Sequence, residues 1–294
     1  MQMMTNAAKT TLASAGWDFS RKLAMSLVLV ASTATVSQAA FALYEAAGAD
    51  PAAITPTRDA FRTAVGGGTV AGANGSFGGI RREINWDGVP DNRADANALP
   101  ADFFNVTSPR GVVFSTPGTG FLVSANAGQS TSTLFGFPAD FQTFSAQRLF
   151  TAVNSNVTDV SFFLPGTATV AATTAFAAIF TDVEVAELTK IEFFDQNSVL
   201  LFTRDVLVGG NQGLSFLGAV ADAGEKISRV RITAGLNTIV SNGVLGNPND
   251  DVVVMDDFLY AEPVAVPEPG ALTLAGLGLG AIALMRFGRR RGKA

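Results

Sequence analysis

The chain has 294 residues, of which 20 are Lys or Arg and 25 are Asp or Glu, and its formal net charge is −5 at pH 7. It contains neither His nor Cys, which excludes disulfides, zinc and copper sites built on those residues, and Ser-His-Asp or Cys-His catalysis. Carboxylate chemistry and metals bound through oxygen, such as calcium, remain available. Residues 41–269 hold 12 of the basic and 24 of the acidic residues, and this net charge of −12 argues against nucleic acid as a partner.

Residues 1–39 have the pattern of a secretory signal peptide. Two basic residues precede a mostly apolar stretch, 23–35, which is too short to span a bilayer comfortably. Small residues stand at the two positions that a signal peptidase reads before a cut after Ala39, and a cut after Ala42 meets the same requirement. A buried core helix is the alternative interpretation of the apolar stretch. The pattern as a whole predicts export.

Residues 43–69 are predicted to form a helical lead-in to the exported domain. Thr55 has a side chain suited to an N-cap, and Pro56 would then occupy the first helical position, where the missing N–H of proline costs nothing. Three consecutive glycines beginning at Gly66 end the predicted helix. We therefore expect the main domain to begin near residue 70.

Residues 70–262 are predicted to form one all-β domain, a β-sandwich of jelly-roll type. The 23 Phe and 30 Gly of the chain favour strands joined by tight turns. Short strand patterns recur every 8–14 residues or so, separated by Pro, Gly, Asn and Asp, as is typical of sandwiches. The predicted strands are 111–115, 120–124, 148–153, 157–164, 173–183, 188–195, 199–208, 213–221, 227–234 and 251–261.

Three segments in this order, 176–183, 191–195 and 253–260, resemble the distal half of jelly-roll domains in secreted, carbohydrate-associated bacterial proteins. In galactose-binding-like jelly rolls the last strand often carries an Asp before an aromatic residue, frequently as a structural calcium ligand. The resemblance therefore implies a calcium-binding role for Asp256 or Asp257.

Three acidic residues are candidate calcium ligands on chemical grounds as well. Asp256 and Asp257 are adjacent on a predicted strand, so we expect one side chain in solvent and the other facing inward, where it needs a partner or an ion. Asp182 and Glu184 lie at the end of another strand and share a face. Calcium prefers such oxygen ligands. The alternative is that all of these acids are solvated at strand ends.

Four side chains suit a sugar-binding surface: Arg81, Arg82, Trp86 and Tyr260. Aromatic rings stack on sugars, and arginine supplies forked hydrogen-bond donors. Only two Trp occur in the chain, so aromatic residues in the core are the alternative. Hydrolysis of a glycosidic bond needs two carboxylates that flank it, and no motif pairs the available candidates. These candidates are Glu83, Glu184 and Glu192.

The C-terminus has the order of a sorting signal. Pro267, Glu268 and Pro269 precede an apolar stretch, 271–287, which is barely long enough to cross a membrane as a helix. The positive-inside rule keeps the final basic cluster in the cytoplasm and the folded domain outside. This cytoplasmic anchor consists of Arg286, Arg289, Arg290 and Arg291.

Residues 266–291 resemble the PEP-CTERM sorting signal of exported proteins in Gram-negative bacteria that make exopolysaccharide. The resemblance implies an inner-membrane-anchored precursor, cleavage by an exosortase, and release or transfer to the cell surface or extracellular matrix. An ordinary C-terminal membrane anchor, with Pro-Glu-Pro as a stiff spacer, is the alternative.

Three functions follow as hypotheses from these observations. The first is a non-enzymatic surface or matrix protein that is associated with extracellular polysaccharide and stabilised by calcium. The second is a carboxylate-based carbohydrate-active enzyme. The third is a purely structural or adhesive module without a small ligand. No catalytic residue and no organic cofactor is predicted.

Overall fold

The computed structural model describes residues 40–239 and 251–266. The predicted signal peptide, the Pro-Glu-Pro motif, the arginine cluster and the predicted transmembrane helix lie outside these residues. Within the described ranges, no helix is both long enough and apolar enough to cross a membrane.

Strands dominate the described residues. The strands are β1 (Phe41–Gly48), β2 (Ser76–Phe77), β3 (Arg81–Ile84), β4 (Val112–Ser115), β5 (Gly120–Val123), β6 (Phe150–Val153), β7 (Val157–Phe162), β8 (Ala171–Ala172), β9 (Ala175–Thr181), β10 (Lys190–Phe194), β11 (Leu200–Asp205), β12 (Leu214–Ala221), β13 (Arg229–Thr233), β14 (Val254–Ala261) and β15 (Val264–Ala265). The α-helices are α1 (Pro51–Val65) and α2 (Phe103–Val106). Short 3-10 helices cover Ala73–Gly75, Asp91–Arg93 and Leu134–Gly136. Each of the ten strands predicted between residues 111 and 261 is present.

Two antiparallel sheets form a sandwich. The first has the order β1-β12-β9-β14-β3-β2, with β6 pairing β14 and carrying β5, and the second has the order β11-β10-β13-β7-β4. Buried aromatic rings contact each other in the main core, for example Trp86 stacked 4.1 Å from Phe150, and Phe176 at 6.3 Å from Phe193. The predicted all-β sandwich is confirmed.

The predicted helical lead-in is wrong at its start. Residues 43–48 belong to β1, which pairs with β12 along its whole length, so the sandwich begins at Phe41. The helix begins at Pro51, because the Asp50 side chain accepts a hydrogen bond from the N–H of Ala53 at 3.1 Å and caps it. Pro56 therefore lies inside the helix instead of at its first position.

Helix α1 covers the outer face of the first sheet. Ile54 and Phe61 are fully buried there against small residues such as Ala177. Gly218 makes this close approach possible, since a Cβ atom at that position would lie 2.8 Å from the Phe61 ring. The docking fixes where the remaining side chains of α1 point, including the two arginines described next.

Candidate functional site

A β-bulge in β14 places Asp256 and Asp257 on the same side of the strand. Opposite β9, Met255 pairs with Phe180 and Phe258 pairs with Ala178, so two residues of β14 oppose one residue of β9. The extra residue interrupts the usual alternation of side chains. The expectation that one of the two acids faces solvent is therefore wrong, and both are buried, with exposed fractions of 0% and 4%.

The two carboxyl groups share a single hydroxyl. Ser145 Oγ lies 3.1 Å from Asp256 Oδ1 and 2.8 Å from Asp257 Oδ1, and the N–H of Phe144 donates to Asp256 Oδ2 at 2.6 Å. One hydroxyl proton cannot serve both carboxyl groups. Burial is the largest cause that raises the pKa of both acids, and the charge of Asp257 further raises that of Asp256. Both shifts favour the protonated form, so the geometry and the electrostatics together favour one proton shared by the pair.

Asp257 also lines a pocket of about 320 Å³ between α1, β3 and two loops. Arg58 and Arg62 reach it from α1, because residues four apart lie on one face of a helix. Glu83 reaches it from β3, and Arg110 from the loop after α2. The pocket is thus lined by three arginines and two carboxyl groups.

Glu83 is held in place by two arginines. Arg62 Nε and Arg81 Nε each donate to Glu83 Oε1 at 2.8 Å, and Arg62 also bonds the second oxygen. The Arg81 guanidinium donates in addition to the carbonyl of Gly66 at the end of α1. Arg62 and Phe77 border both this pocket and a wider adjoining cleft of about 840 Å³, which Arg81 also lines.

The pocket has a positive charge in a strongly acidic protein. Four of the 12 basic residues of 41–269 line it or the adjoining cleft, and the shared proton reduces the opposing charge of the carboxyl pair. Arg58 packs 4.8 Å above the Phe144 ring, and its buried Nε has no hydrogen-bond acceptor among the described residues. An Asp59 oxygen lies 2.7 Å from that nitrogen, so Arg58 and Asp59 form an ion pair without a hydrogen bond. Burial lowers the pKa of Arg110.

The four residues predicted to form a sugar-binding surface do not form one. Trp86 and Tyr260 are core residues with exposed fractions of 1% and 0%. The Trp86 Nε1–H donates to the backbone carbonyl of Asp256 at 2.6 Å, and this hydrogen bond stabilises the bulge. Arg82 is paired with Glu262, and only Arg81 reaches the cleft. The sequence analysis missed Arg58 and Arg62, although their spacing of four residues in a predicted helix places them on one face.

Asp182 lies apart from the carboxyl pair, directly after β9. It has a left-handed backbone conformation with φ 71°, is 4% exposed, and accepts a hydrogen bond from the N–H of Gln212 at 3.1 Å. Burial first, and then the charges of Glu184, Asp140 and Asp251, raise the pKa of Asp182 to about 7. In the part of the chain that the structure describes, no three carboxylates are close enough together to hold a metal ion as they stand.

The candidate catalytic glutamates are separated. Glu192 lies on β10 in the second sheet, where Lys190 Nζ is 3.6 Å away, and Glu184 is exposed near Asp182. Only Glu83 shares the pocket with another carboxyl group, that of Asp257. The structure therefore brings Glu83 and Asp257 into one pocket, which the sequence alone does not predict.

Comparison with known proteins gives one family. The model of the PEP-CTERM protein-sorting motif matches residues 265–291. No curated protein and no solved structure matches the chain. The sorting signal predicted at 266–291 is confirmed, and the sandwich has to be interpreted from its own residues.

Proposed function

We propose that this chain, whose PEP-CTERM protein-sorting motif at residues 265–291 indicates export and sorting by an exosortase, is a non-enzymatic surface protein that binds acidic polysaccharide. The apolar stretch 271–287 anchors the precursor in the inner membrane, and the mature protein lies at the cell surface or in the extracellular matrix. The binding site is the arginine-lined pocket.

The observation that carries this proposal is the concentration of arginine in one place on an acidic domain. A site with Arg58, Arg62 and Arg110 around one pocket favours an anionic ligand, and guanidinium groups match carboxylates with two parallel hydrogen bonds. Phe77 and Phe144 add partly exposed apolar surface for a sugar ring. A polysaccharide that contains uronic acids offers both features.

Binding of a polyuronate tests the proposal. The full chain, purified in detergent, is titrated with polygalacturonate and with neutral dextran in an isothermal calorimeter. We expect binding of the charged polymer only, weakening as salt is added, because charge attraction is screened. Arg58→Gln should weaken binding about tenfold, the loss expected for one charge-assisted hydrogen bond. Arg58 suits the test because, unlike Arg62, it does not hold Glu83.

Arg204→Gln is the matched control. Arg204 is a half-exposed arginine outside the pocket that pairs with Glu45 at 2.7 Å, so its removal changes the net charge equally. Equal loss of binding in both variants would mean that affinity reflects total charge and not the pocket. Equal binding of dextran and polygalacturonate would contradict a site for acidic sugars.

A carboxylate-based carbohydrate-active enzyme is the second candidate, because Glu83 and Asp257 line one pocket. Asp257 in its protonated form could act as a general acid. Both oxygens of Glu83, however, accept hydrogen bonds from arginines, which leaves it poorly suited to act as nucleophile or base. Release of reducing ends from polygalacturonate by the wild type, lost in Asp257→Asn, would favour this candidate over plain binding.

Calcium is part of the proposal as a stabilising ion at Asp182. The charges of Glu184, Asp140 and Asp251 act on this side chain, and a divalent cation would offset them. Asp256 and Asp257 suit calcium less well, because the N–H of Phe144 and the hydroxyl of Ser145 already occupy their oxygens. We therefore assign the pair a shared proton.

A further inference from the structure

The first described residues show which of the two predicted signal-peptidase cuts is compatible with the fold. Strand β1 starts at Phe41, whose partner in β12 is Ala221. The Phe41 ring packs 5.6 Å from Phe193 and 5.2 Å from Phe202, on the core side of the second sheet. Phe41 therefore belongs to the folded domain.

Ala40 is fixed from both sides by the turn after β12. Its carbonyl accepts a hydrogen bond from the N–H of Asp222 at 2.9 Å, and its own nitrogen donates to Glu225 Oε1 at 3.0 Å. The other Glu225 oxygen accepts from the N–H of Ala223 at 3.1 Å, so the carboxylate is anchored within its turn. Burial alone would raise the pKa of Glu225, but backbone donors, that of Ala40 included, lower it overall.

We propose that signal peptidase cleaves between Ala39 and Ala40 and that the new N-terminal ammonium of Ala40 forms an ion pair with Glu225. Water is consumed in the cut: the amide C–N bond breaks, Ala39 leaves with a carboxylate, and the Ala40 nitrogen takes up protons to become an ammonium. The hydrogen bond that already joins Ala40 to the Glu225 carboxylate then has a charged donor as well as a charged acceptor, and it becomes stronger.

The alternative cut after Ala42 would damage the folded protein. It would remove Phe41 from the core and delete the two β1 pairs that Phe41 and Ala42 make with Ala221 and Val220. It would also remove both hydrogen bonds of Ala40, so that Glu225 Oε1 would lose the donor that it has in the fold. The proposal does not depend on any polysaccharide ligand, since none of these residues lines the arginine pocket.

The cut is tested by identifying the mature N-terminus. The full chain is expressed with its own leader in a Gram-negative host, and the N-terminal peptide of the exported protein is sequenced by mass spectrometry. A mature chain that begins with Ala40 supports the proposal. A chain that begins with Leu43, or at any other residue, overturns it.

The ion pair is tested by the reactivity of the new amine. An ammonium held by a carboxylate loses its proton less readily, so less nucleophilic amine is present at pH 7. Acylation of the Ala40 amine by a limiting activated ester should therefore be several-fold faster in Glu225→Gln than in the wild type. Peptide mass spectrometry measures the rate at this one site, and Ala40 is exposed enough to react.

Asp222→Asn is the matched control, because it removes the same charge from the same turn. The Asp222 side chain makes no hydrogen bond to the Ala40 nitrogen within residues 40–239 and 251–266. Its acylation rate should equal that of the wild type. Equal acceleration in both variants, or none in Glu225→Gln, would overturn the ion pair.

Discussion

Two buried carboxyl regions of this protein, the Asp256–Asp257 pair and Asp182, both have raised pKa values but lie in different surroundings. The pair lies in the middle of a strand, where Ser145 and the N–H of Phe144 donate to it and the charge of Arg62 lies nearby. Asp182 lies at a strand end with one backbone donor, and its charged neighbours are other acids. Burial is the first cause in both regions.

The comparison teaches what each region can do. Hydrogen-bond donors contact the Asp256–Asp257 pair, and one shared proton removes the charge repulsion between the two carboxyl groups. The pair beside the arginine pocket is therefore stable without a bound ion. Negative charge surrounds Asp182, and only an added proton or cation reduces it. The stability of both regions is expected to depend on pH, but only Asp182 is expected to respond to cations as well.

Asp182→Asn should produce the largest change, and it should appear as a change in pH dependence. Because folding raises the pKa of Asp182 from about 3.9 to about 7, the folded state binds the proton more tightly. Wild-type stability therefore falls as pH rises from about 4 to 7, by up to about 4 kcal/mol. The variant should lose this fall and exceed the wild type at pH 8 in urea unfolding. Asparagine tolerates the left-handed backbone conformation and can still accept from Gln212.

Asp205→Asn is the control for that experiment, since Asp205 is an exposed acid on β11. It should leave the pH profile unchanged. A wild-type profile that is flat between pH 5 and 8, or an Asp182→Asn profile parallel to it, would contradict the proposed role of Asp182.

Asp256→Asn should produce a smaller gain, on the order of 1–3 kcal/mol at high pH, because the wild type must then ionise a buried acid. The sign is the same, because a raised pKa of Asp256 means that stability falls as pH rises above about 4. The amide keeps an oxygen for the N–H of Phe144 and supplies a fixed donor to Asp257. Thermal unfolding at pH 6 and pH 9 separates the removal of the ionisation cost, which appears only at the higher pH, from the effect of the amide itself, which appears at both.

Asp256→Ala is the informative partner variant. It leaves the N–H of Phe144 without an acceptor and opens a cavity, so it should destabilise the protein at every pH. If Asp256→Asn were as destabilising as Asp256→Ala at pH 9, the shared-proton description of the pair would be wrong.

The strands of the sandwich were predictable because each is a local pattern. Short apolar or alternating runs between turn signals are sufficient to locate β4–β7 and β9–β14, and the sorting motif is likewise contiguous. Strand β1 was missed because its Ala-rich sequence resembles a helix, and only pairing with β12 makes it a strand. The helix start was missed because Thr55 competes with Asp50 as an N-cap.

The sites depend on information that a strand pattern does not contain. Alternation predicts opposite faces for Asp256 and Asp257, and a bulge set by the register with β9 overrides it. The pocket brings together Arg58, Glu83 and Arg110 from three separate segments. Their residue types could be listed from the sequence, but their proximity results from tertiary packing of α1 on the sheet.

The smallest expected effect is the change that calcium makes in the unfolding midpoint. It shows directly which of the two carboxyl regions binds the ion. Calcium that binds only the folded state raises the unfolding midpoint, and at five times the dissociation constant the gain is about 1 kcal/mol, or roughly 2–4 °C. We expect a rise in millimolar calcium over chelator for the wild type and for Asp256→Asn, but none for Asp182→Asn. Because the ion must displace the proton of Asp182, the rise should be larger at pH 8 than at pH 5. If the rise persists in Asp182→Asn and disappears in Asp256→Asn, calcium binds at the Asp256–Asp257 pair and not at Asp182. If no variant shows a rise, Asp182 binds a proton but no calcium.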